Sequence, residues 1–151
     1  MLSTSLESIA TVLRRAREVV VFSGAGLSAD SGIPTFRDGA TGLWNNVDPD
    51  EVASIEGFLR KPRVVWDWLL QLKNLVDDRH PNAGHEAIAR LEDLCTGKRL
   101  TIITQNIDGL HEAAGVPRDQ IIEIHGNGTY ALCLSCGLRH EIDWVKEEIA
   151  R

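Results

Sequence analysis

The sequence predicts an α/β protein built on a parallel sheet, and three observations carry that prediction. Apolar, β-branched runs recur at residues 19–22 (VVVF), 100–104 (LTIIT) and 121–124 (IIEI). The segments between them place apolar residues at helical spacing. Runs without strict alternation suit strands covered on both faces, the usual setting of a parallel sheet. Each run ends at once in a polar cluster, where ligands bind open parallel sheets.

The elements follow in order. Thr4 and Glu7 have capping-box spacing, and Leu6, Ile9, Ala10, Leu13 and Ala16 follow at helical period, which predicts a helix over 5–17. The first strand covers 19–22. A Gly- and Ser-rich stretch then leads into an irregular region over 38–50, long enough to suggest function. Pro62 opens a helix whose apolar face is Val65, Trp66, Leu69, Leu72 and Val76. Asn82 caps the next, with Ala87, Ile88, Leu91, Leu94 and Cys95 facing inward and Gly97 closing it. The second strand spans 100–104. A short helix over 107–114 stops at Gly115 and Pro117, and the third strand spans 121–124. Short strands flank a Cys-x-x-Cys over 128–142, and a further helix begins at Trp144. Three strands make a thin sheet, and the sequence stops inside an amphipathic segment, as a shortened chain would.

Composition bounds the function. The 151 residues suit one domain, and 43% hydrophobic with 25% charged residues is ordinary for a globular chain. A net charge of −6 argues against nucleic acid as partner, which wants a basic face, but not against a basic peptide. No apolar run approaches the roughly 18 residues of a membrane span. Glu7, Arg14, Arg15 and Arg17 interrupt any signal-peptide core. Three cysteines make no disulfide framework, so a reducing, cytoplasmic setting is expected.

The polar clusters are residues 23–38 (SGAGLSADSGIPTFRD), 105–108 (QNID) and 125–127 (HGN). Gly24-Ala25-Gly26 allows a sharp turn and close approach of the backbone to a diphosphate, although a purely structural turn fits the pattern as well. The spacing is not the usual dinucleotide fingerprint, since Ser28 follows Gly26 by two and the next glycine is Gly32. Gly32-Ile33-Pro34 adds a second bend, and Arg37 suits a phosphate bidentately. His125 is a candidate general base or a structural strand-end residue. His85 and His111 fall inside helices and read as structural, His80 and His140 as exposed. Trp66 and Trp68 read as core and rim of one helix, and Cys95 as a buried thiol.

Residues 24–37 resemble the first signature of the sirtuins, the NAD-dependent protein deacylases. Residues 104–111 (TQNIDGLH) resemble the second, His125-Gly126-Asn127 the third, and Cys133-x-x-Cys136-Gly137 the first half of the family's zinc knuckle. The resemblance implies a partial Rossmann-like sheet over 1–127, holding NAD, and over 128–151 the beginning of a small zinc-ribbon module. It implies a lysine deacetylase: an acetyl-lysine carbonyl oxygen attacks C1′ of the nicotinamide ribose, nicotinamide leaves, and a ribose hydroxyl takes the acyl group to give O-acetyl-ADP-ribose. By the family pattern His125 is the base on that hydroxyl, Asn106 holds the ribose and a water, and Asp108 accepts from the nicotinamide amide over an Ile107 floor. Ala25, Ile33 and Phe36 are that pocket's walls, and Gly24, Gly26, Ser28, Arg37 and Gln105 complete the cofactor set. An imidazole suits the base because its unperturbed pKa is near 6.5.

The sequence also departs from the family. Cys133 and Cys136 supply two of the four ligands that structural zinc takes, with His140 a weak third, and a redox reading of Cys-x-x-Cys stays open. The resemblance also implies that the sheet's later strands are absent, leaving an unpaired edge that invites self-association. Leu69 and Leu72 stand where the desuccinylases of the family place a Tyr and an Arg, which points to a neutral acyl group. The expected partner is therefore an acetyl-lysine protein or peptide. The alternatives are a mono-ADP-ribosyltransferase on the same site, or an inert fragment that binds a nucleotide or a partner.

Overall fold

The structure is a computed structural model that describes residues 2–37, 42–94, 97 and 99–151. The expectations for Asp38, Gly39 and Cys95 lie outside the described residues.

Helix α1 (Leu2–Arg15) leads into strand β1 (Glu18–Ser23), which pairs in parallel with β2 (Arg99–Thr104). On its other side β2 pairs in parallel with β3 (Ile121–Glu123). The sheet order is β1-β2-β3, so β2 is central and the outer edge of β1 has no neighbouring strand among the described residues. Val19, Leu100, Ile102, Val116 and Ile121 form the core, with Ile102 fully buried. Leu13 and Ala16 at the end of α1, and Ile88, Ala89 and Leu91 of α5 (Ala83–Leu94), pack against it.

Several expectations are corrected by this arrangement. Strand β1 is covered on one face only, since Val20 and Phe22 are about three-fifths exposed, whereas Thr101 and Ile103 of the central β2 are half-buried. Strand side chains alternate, and α1 and α5 both pack on the Val19–Ile102 face. Leu6 and Ile9 of α1 also face outward, as do Ala87 and Leu94 of α5, where Ala89 takes the inward place. The helix expected over 107–114 is the single turn α6 (Leu110–Ala113), because Gly109 takes a left-handed conformation (φ 71°) and the Asp108 carboxylate caps the Leu110 N–H. Thr4 lies inside α1 rather than at its cap.

Between β1 and α5 the chain makes an excursion that carries half of the site. A 3-10 segment (Ala25–Ser31) ends at Gly32, and a second (Leu43–Asn46) is tied back by the Leu43 and Trp44 N–H groups to the carbonyls of Thr35 and Phe36. The irregular region expected over 38–50 thus holds this second turn and the start of α2 (Pro49–Val52). Helices α2, α3 (Ile55–Arg60) and α4 (Pro62–Val76) then stack in sequence, with Asp48 and Ser54 as side-chain N-caps of the first two. The apolar face of α4 is the one expected, with Val65 and Leu72 buried. At the α2–α3 corner a Cβ on Gly57 would lie 2.1 Å from the Glu51 carbonyl oxygen. Backbone cannot yield as a side chain tip can, so Gly57→Ala is expected to cost about 1–3 kcal/mol or more, read as a fall of several degrees in Tm. An unchanged melting curve would show that the corner opens freely.

Asn82 caps α5 as expected, its Oδ1 accepting from the Gly84 N–H at 2.9 Å. After β3 an antiparallel hairpin, β4 (Tyr130–Leu132) and β5 (Arg139–Glu141), precedes α7 (Ile142–Ala150). The Gly128 N–H donates to the Ile107 carbonyl and joins this hairpin segment to the strand-end loops.

Candidate functional site

The carboxyl ends of the strands are held together by buried polar groups. The Ser23 hydroxyl, at the end of β1, donates to Thr104 Oγ1 at the end of β2 (2.9 Å) and lies 2.8 Å from His111 Nε2. Since that hydroxyl donates to Thr104, it accepts from His111, which fixes the neutral ring as its Nε2–H form. Thr104 Oγ1 also accepts the Asn106 N–H at 3.1 Å, so the turn after β2 is pinned to the strand it leaves.

Asn106, 8% exposed, reaches across this turn to the Gly-rich loop. Its Nδ2 donates to the Gly24 carbonyl (3.2 Å) and to the Ser28 hydroxyl (3.1 Å). Ser28 in turn donates to Asp108 Oδ2 at 2.6 Å, while Asp108 Oδ1 accepts the Leu110 N–H at 3.0 Å. Each Asp108 oxygen keeps a lone pair for a further donor. His125 follows β3 on the solvent side, with Nδ1 3.0 Å from the Gln105 carbonyl oxygen. A carbonyl only accepts, so Nδ1 carries the proton in the neutral ring and Nε2 keeps its lone pair.

These groups line one end of a cavity of about 660 Å³. Ala25, Ser28, Ile33, Phe36, Gln105, Asn106, Ile107, Asp108 and His125, all singled out in the sequence, border it. Gly24 adjoins it through the Asn106 bond, and a Cβ built on Gly26 meets nothing within 4 Å, so the loop backbone is open to a ligand there. Arg37 is exposed and is not part of the lining. Polar donors, a paired carboxylate and a bare backbone turn suit a dinucleotide's ribose, amide and phosphates.

Sequence reading missed the aromatic wall. Phe36 meets Trp44 at 4.9 Å, and Trp44 stacks on Trp68 at 5.4 Å. Trp66 and Trp68 both line the cavity, rather than serving only as core and rim. The spacing of Trp66, Leu69 and Leu72 marked a buried face without saying that the face borders a void.

His85 and His111 are buried (0% and 3% exposed), with ring centroids 5.3 Å apart. Burial pushes both imidazoles below the ordinary His value, and each is nudged back up by the Asp108 carboxylate. The unfolded chain therefore binds protons first as pH falls. The stability these residues confer is complete above about pH 6.5 and is lost progressively below it. Tm at pH 5.5 should be lower than at pH 7.5, and the drop should shrink in a His111→Gln variant. An equal drop in both proteins would refute the assignment.

Cys133 and Cys136 sit in the β4–β5 turn, closed by the Gly137 N–H to the Cys133 carbonyl at 2.8 Å. Backbone N–H groups of Cys136 and Ser135 hold the Cys133 thiol below its usual value. His140, expected to be exposed, is half-buried and stacks on Trp144 at 4.3 Å. Among the described residues no three His, Cys, Asp or Glu side chains converge on a metal position. Over 128–151, where the beginning of a zinc ribbon was expected, the structure has a hairpin and a helix, and Cys133 and Cys136 supply two of the four ligands tetrahedral zinc takes. A monomeric 151-residue chain is expected to lose zinc on dialysis against a weak chelator; retention of one ion per chain would show further ligands.

Comparison with known proteins places most of the chain in one family. The model of the Sir2 family matches residues 24–151. A protein of Aeropyrum pernix named NAD-dependent protein deacylase is 47% identical over 132 residues, covering 87% of this chain and 52% of the relative. One of the same name from Corynebacterium glutamicum is 41% identical over 152 residues, covering 99% and 58%. Among solved structures, a Sir2 homolog–NAD complex superposes with a TM-score of 0.77 at 39% identity, covering 89% of this chain and 51% of that one. A Sir2 complex with a deacetylated p53 peptide and 3′-O-acetyl ADP ribose gives 0.82 at 30% identity, covering 96% and 56%. The chain spans about half the length of the curated relatives it matches.

Proposed function

The chain belongs to the Sir2 family, and from that premise we propose that it carries the nicotinamide and acyl-transfer end of an NAD-dependent protein-lysine deacetylase. One acetyl-lysine, one NAD and one water give lysine, nicotinamide and O-acetyl-ADP-ribose. The amide C–N and glycosidic C–N bonds break, two C–O bonds form, and no oxidant is needed. NAD supplies the electrophilic ribose carbon and the hydroxyl that receives the acyl group.

The chain's residues divide the remaining work. Ser28 and Asp108 form a 2.6 Å pair whose remaining lone pairs face the cavity and suit a carboxamide donor. Asn106, pinned by Thr104 and tied to Gly24, fixes the distance between the loop and the turn after β2, and so orients the ribose. Ile33, Phe36 and Ile107 exclude water from the leaving group. His125 takes the ribose hydroxyl proton at Nε2. The single observation that carries this reading is the bond from His125 Nδ1 to the Gln105 carbonyl, because it leaves Nε2 as the acceptor beside the cavity.

The test is product analysis of the whole protein incubated with NAD and an acetyl-lysine peptide. Nicotinamide, free lysine and O-acetyl-ADP-ribose in equal amounts are expected. ADP-ribose attached to protein would instead assign a transferase, and unconsumed NAD would overturn the reading.

A further inference from the structure

Asn82 caps α5, but its side chain has a second task. Its Oδ1 accepts the Gly84 and His85 N–H groups, at 2.9 and 3.4 Å, and closes the helix. Its Nδ2 reaches the Gly-rich loop, donating to the Leu27 carbonyl (2.8 Å) and to the Ser31 hydroxyl (3.0 Å). Both amide protons and both oxygen lone pairs are therefore in use. Capping alone would admit Ser or Asp about as well as Asn. Two donors on the same side chain as the capping oxygen require the amide, and Gln would carry it one methylene too far. Leu27 and Ser31 flank Ser28 in the 3-10 segment, and Ser28 is bonded to Asn106 and Asp108 from the strand-end side. The loop is thus gripped from two sides. The stretch between α4 and α5 meets it at two further points. A Cβ on Gly84 would lie 2.9 Å from Leu27 Cδ1, and one on Gly32 would lie 2.9 Å from Arg79 Nη1.

We propose that Asn82 is a positioning residue for the cofactor, holding the segment Ala25–Ser31 where the Gly24–Gly26 turn and Ser28 meet the nucleotide. The inference rests on the NAD reading of the site for the identity of that nucleotide. Asn82 is not part of the cavity lining, so it acts through Leu27 and Ser31. Asn82→Asp separates its two tasks. The carboxylate keeps the cap, since Asp serves an N-cap as well as Asn. Toward the loop it sets oxygen against the Leu27 carbonyl oxygen, and no proton lies between them. The Ser31 hydroxyl can turn and donate, so one tether is recovered and the other becomes a repulsion. The segment then shifts on its Leu27 side and moves Ser28 with it. A misplacement of about 1 Å at a site costs up to on the order of 100-fold. With Ser28 still held by Asn106 and Asp108, a loss of about tenfold in NAD affinity is expected.

Two measurements on the whole protein keep this inference separable from the reading it rests on. The first needs no ligand. Backbone amides of residues 27–33 should exchange with solvent about tenfold faster in Asn82→Asp than in the unaltered protein. Unchanged exchange there would overturn the tether whatever the protein does with NAD. The second is calorimetric titration with NAD. Asn82→Ala, which loses cap and tether together, should melt a few degrees lower and bind NAD about tenfold more weakly. Asn82→Asp should recover the melting temperature but not the affinity, an outcome that a purely capping residue does not give. Affinity restored along with Tm would overturn the positioning role and leave the NAD reading intact. An unaltered protein that binds no NAD would overturn both. In turnover, the KM for NAD should rise about tenfold in Asn82→Asp while the KM for the acetyl-lysine peptide stays within about twofold. Equal rises in the two would show general distortion and sink the proposal. Ser31→Ala removes one tether without touching the cap, and should weaken NAD binding by about threefold. If Asn82→Asp fails to fold by circular dichroism, Ser31→Ala decides alone, and an unchanged affinity for NAD would refute the role.

Discussion

Replacing His125 by alanine is expected to lower deacetylation by the whole protein by roughly 10²- to 10⁴-fold, the usual contribution of a positioned base. The geometry makes the prediction specific. With Nδ1 held by the Gln105 carbonyl, the ring presents one basic nitrogen, and among the described residues no other imidazole borders the larger cavity. Exchange of labelled nicotinamide into NAD should fall by less, because loss of the leaving group needs orientation but no base at that position. His125→Asn removes the basic nitrogen while keeping a polar side chain, and should behave like alanine. Asp108→Asn should show the opposite bias, hurting exchange at least as much as deacetylation, since Asp108 is paired with Ser28 at the proposed carboxamide end. If His125→Ala left deacetylation within a few-fold of normal, the ring would be a strand-end residue whose bond to Gln105 is purely structural.

The residues to which this chemistry is assigned were legible because they are tied to strand ends. A parallel strand delivers its carboxyl end to one rim, so Ser28, Asn106, Asp108 and His125 could be grouped from three apolar runs and the polar residues after each. The length of α4 was legible too, from Pro62 and the spacing of Val65, Leu69 and Leu72. The features that escaped depend on tertiary position. A run such as VVVF cannot say whether both faces will be covered, and here Val20 and Phe22 are not. Leu6 and Ile9 keep helical period yet face outward, because period gives a stripe but not its partner. His111 read as an ordinary helical residue, and only the approach of two strand ends separated by 81 positions lets Ser23 join it to Thr104. The wall of Phe36, Trp44 and Trp68 joins the segment after Gly32, the 3-10 turn that follows it and α4, whose residues lie too far apart in sequence for any motif to link them.

The preference for a neutral acyl group should be nearly as large as the effect of His125. The whole protein is expected to favour acetyl-lysine over succinyl-lysine by on the order of 100-fold or more in kcat/KM, because a carboxylate buried without a partner costs several kcal/mol. The side chains in reach do not relieve that cost. Leu69 and Leu72 stand in the α4 wall and offer no charge. Arg37 is exposed and is not in the lining of either cavity. Lys73 does border a smaller neighbouring cavity of about 330 Å³, which shares Trp66, Leu69 and His125 with the larger one. Its ammonium group, however, is already paired with Asp77 one helical turn on. Asp77→Asn would release that charge and should narrow the gap between the two substrates, whereas Leu69→Ala, which adds space but no charge, should leave it wide. Comparable kcat/KM for acetyl- and succinyl-lysine peptides in the unaltered protein would mean that a cation reaches the acyl end after all, and Lys73 would be the first to test.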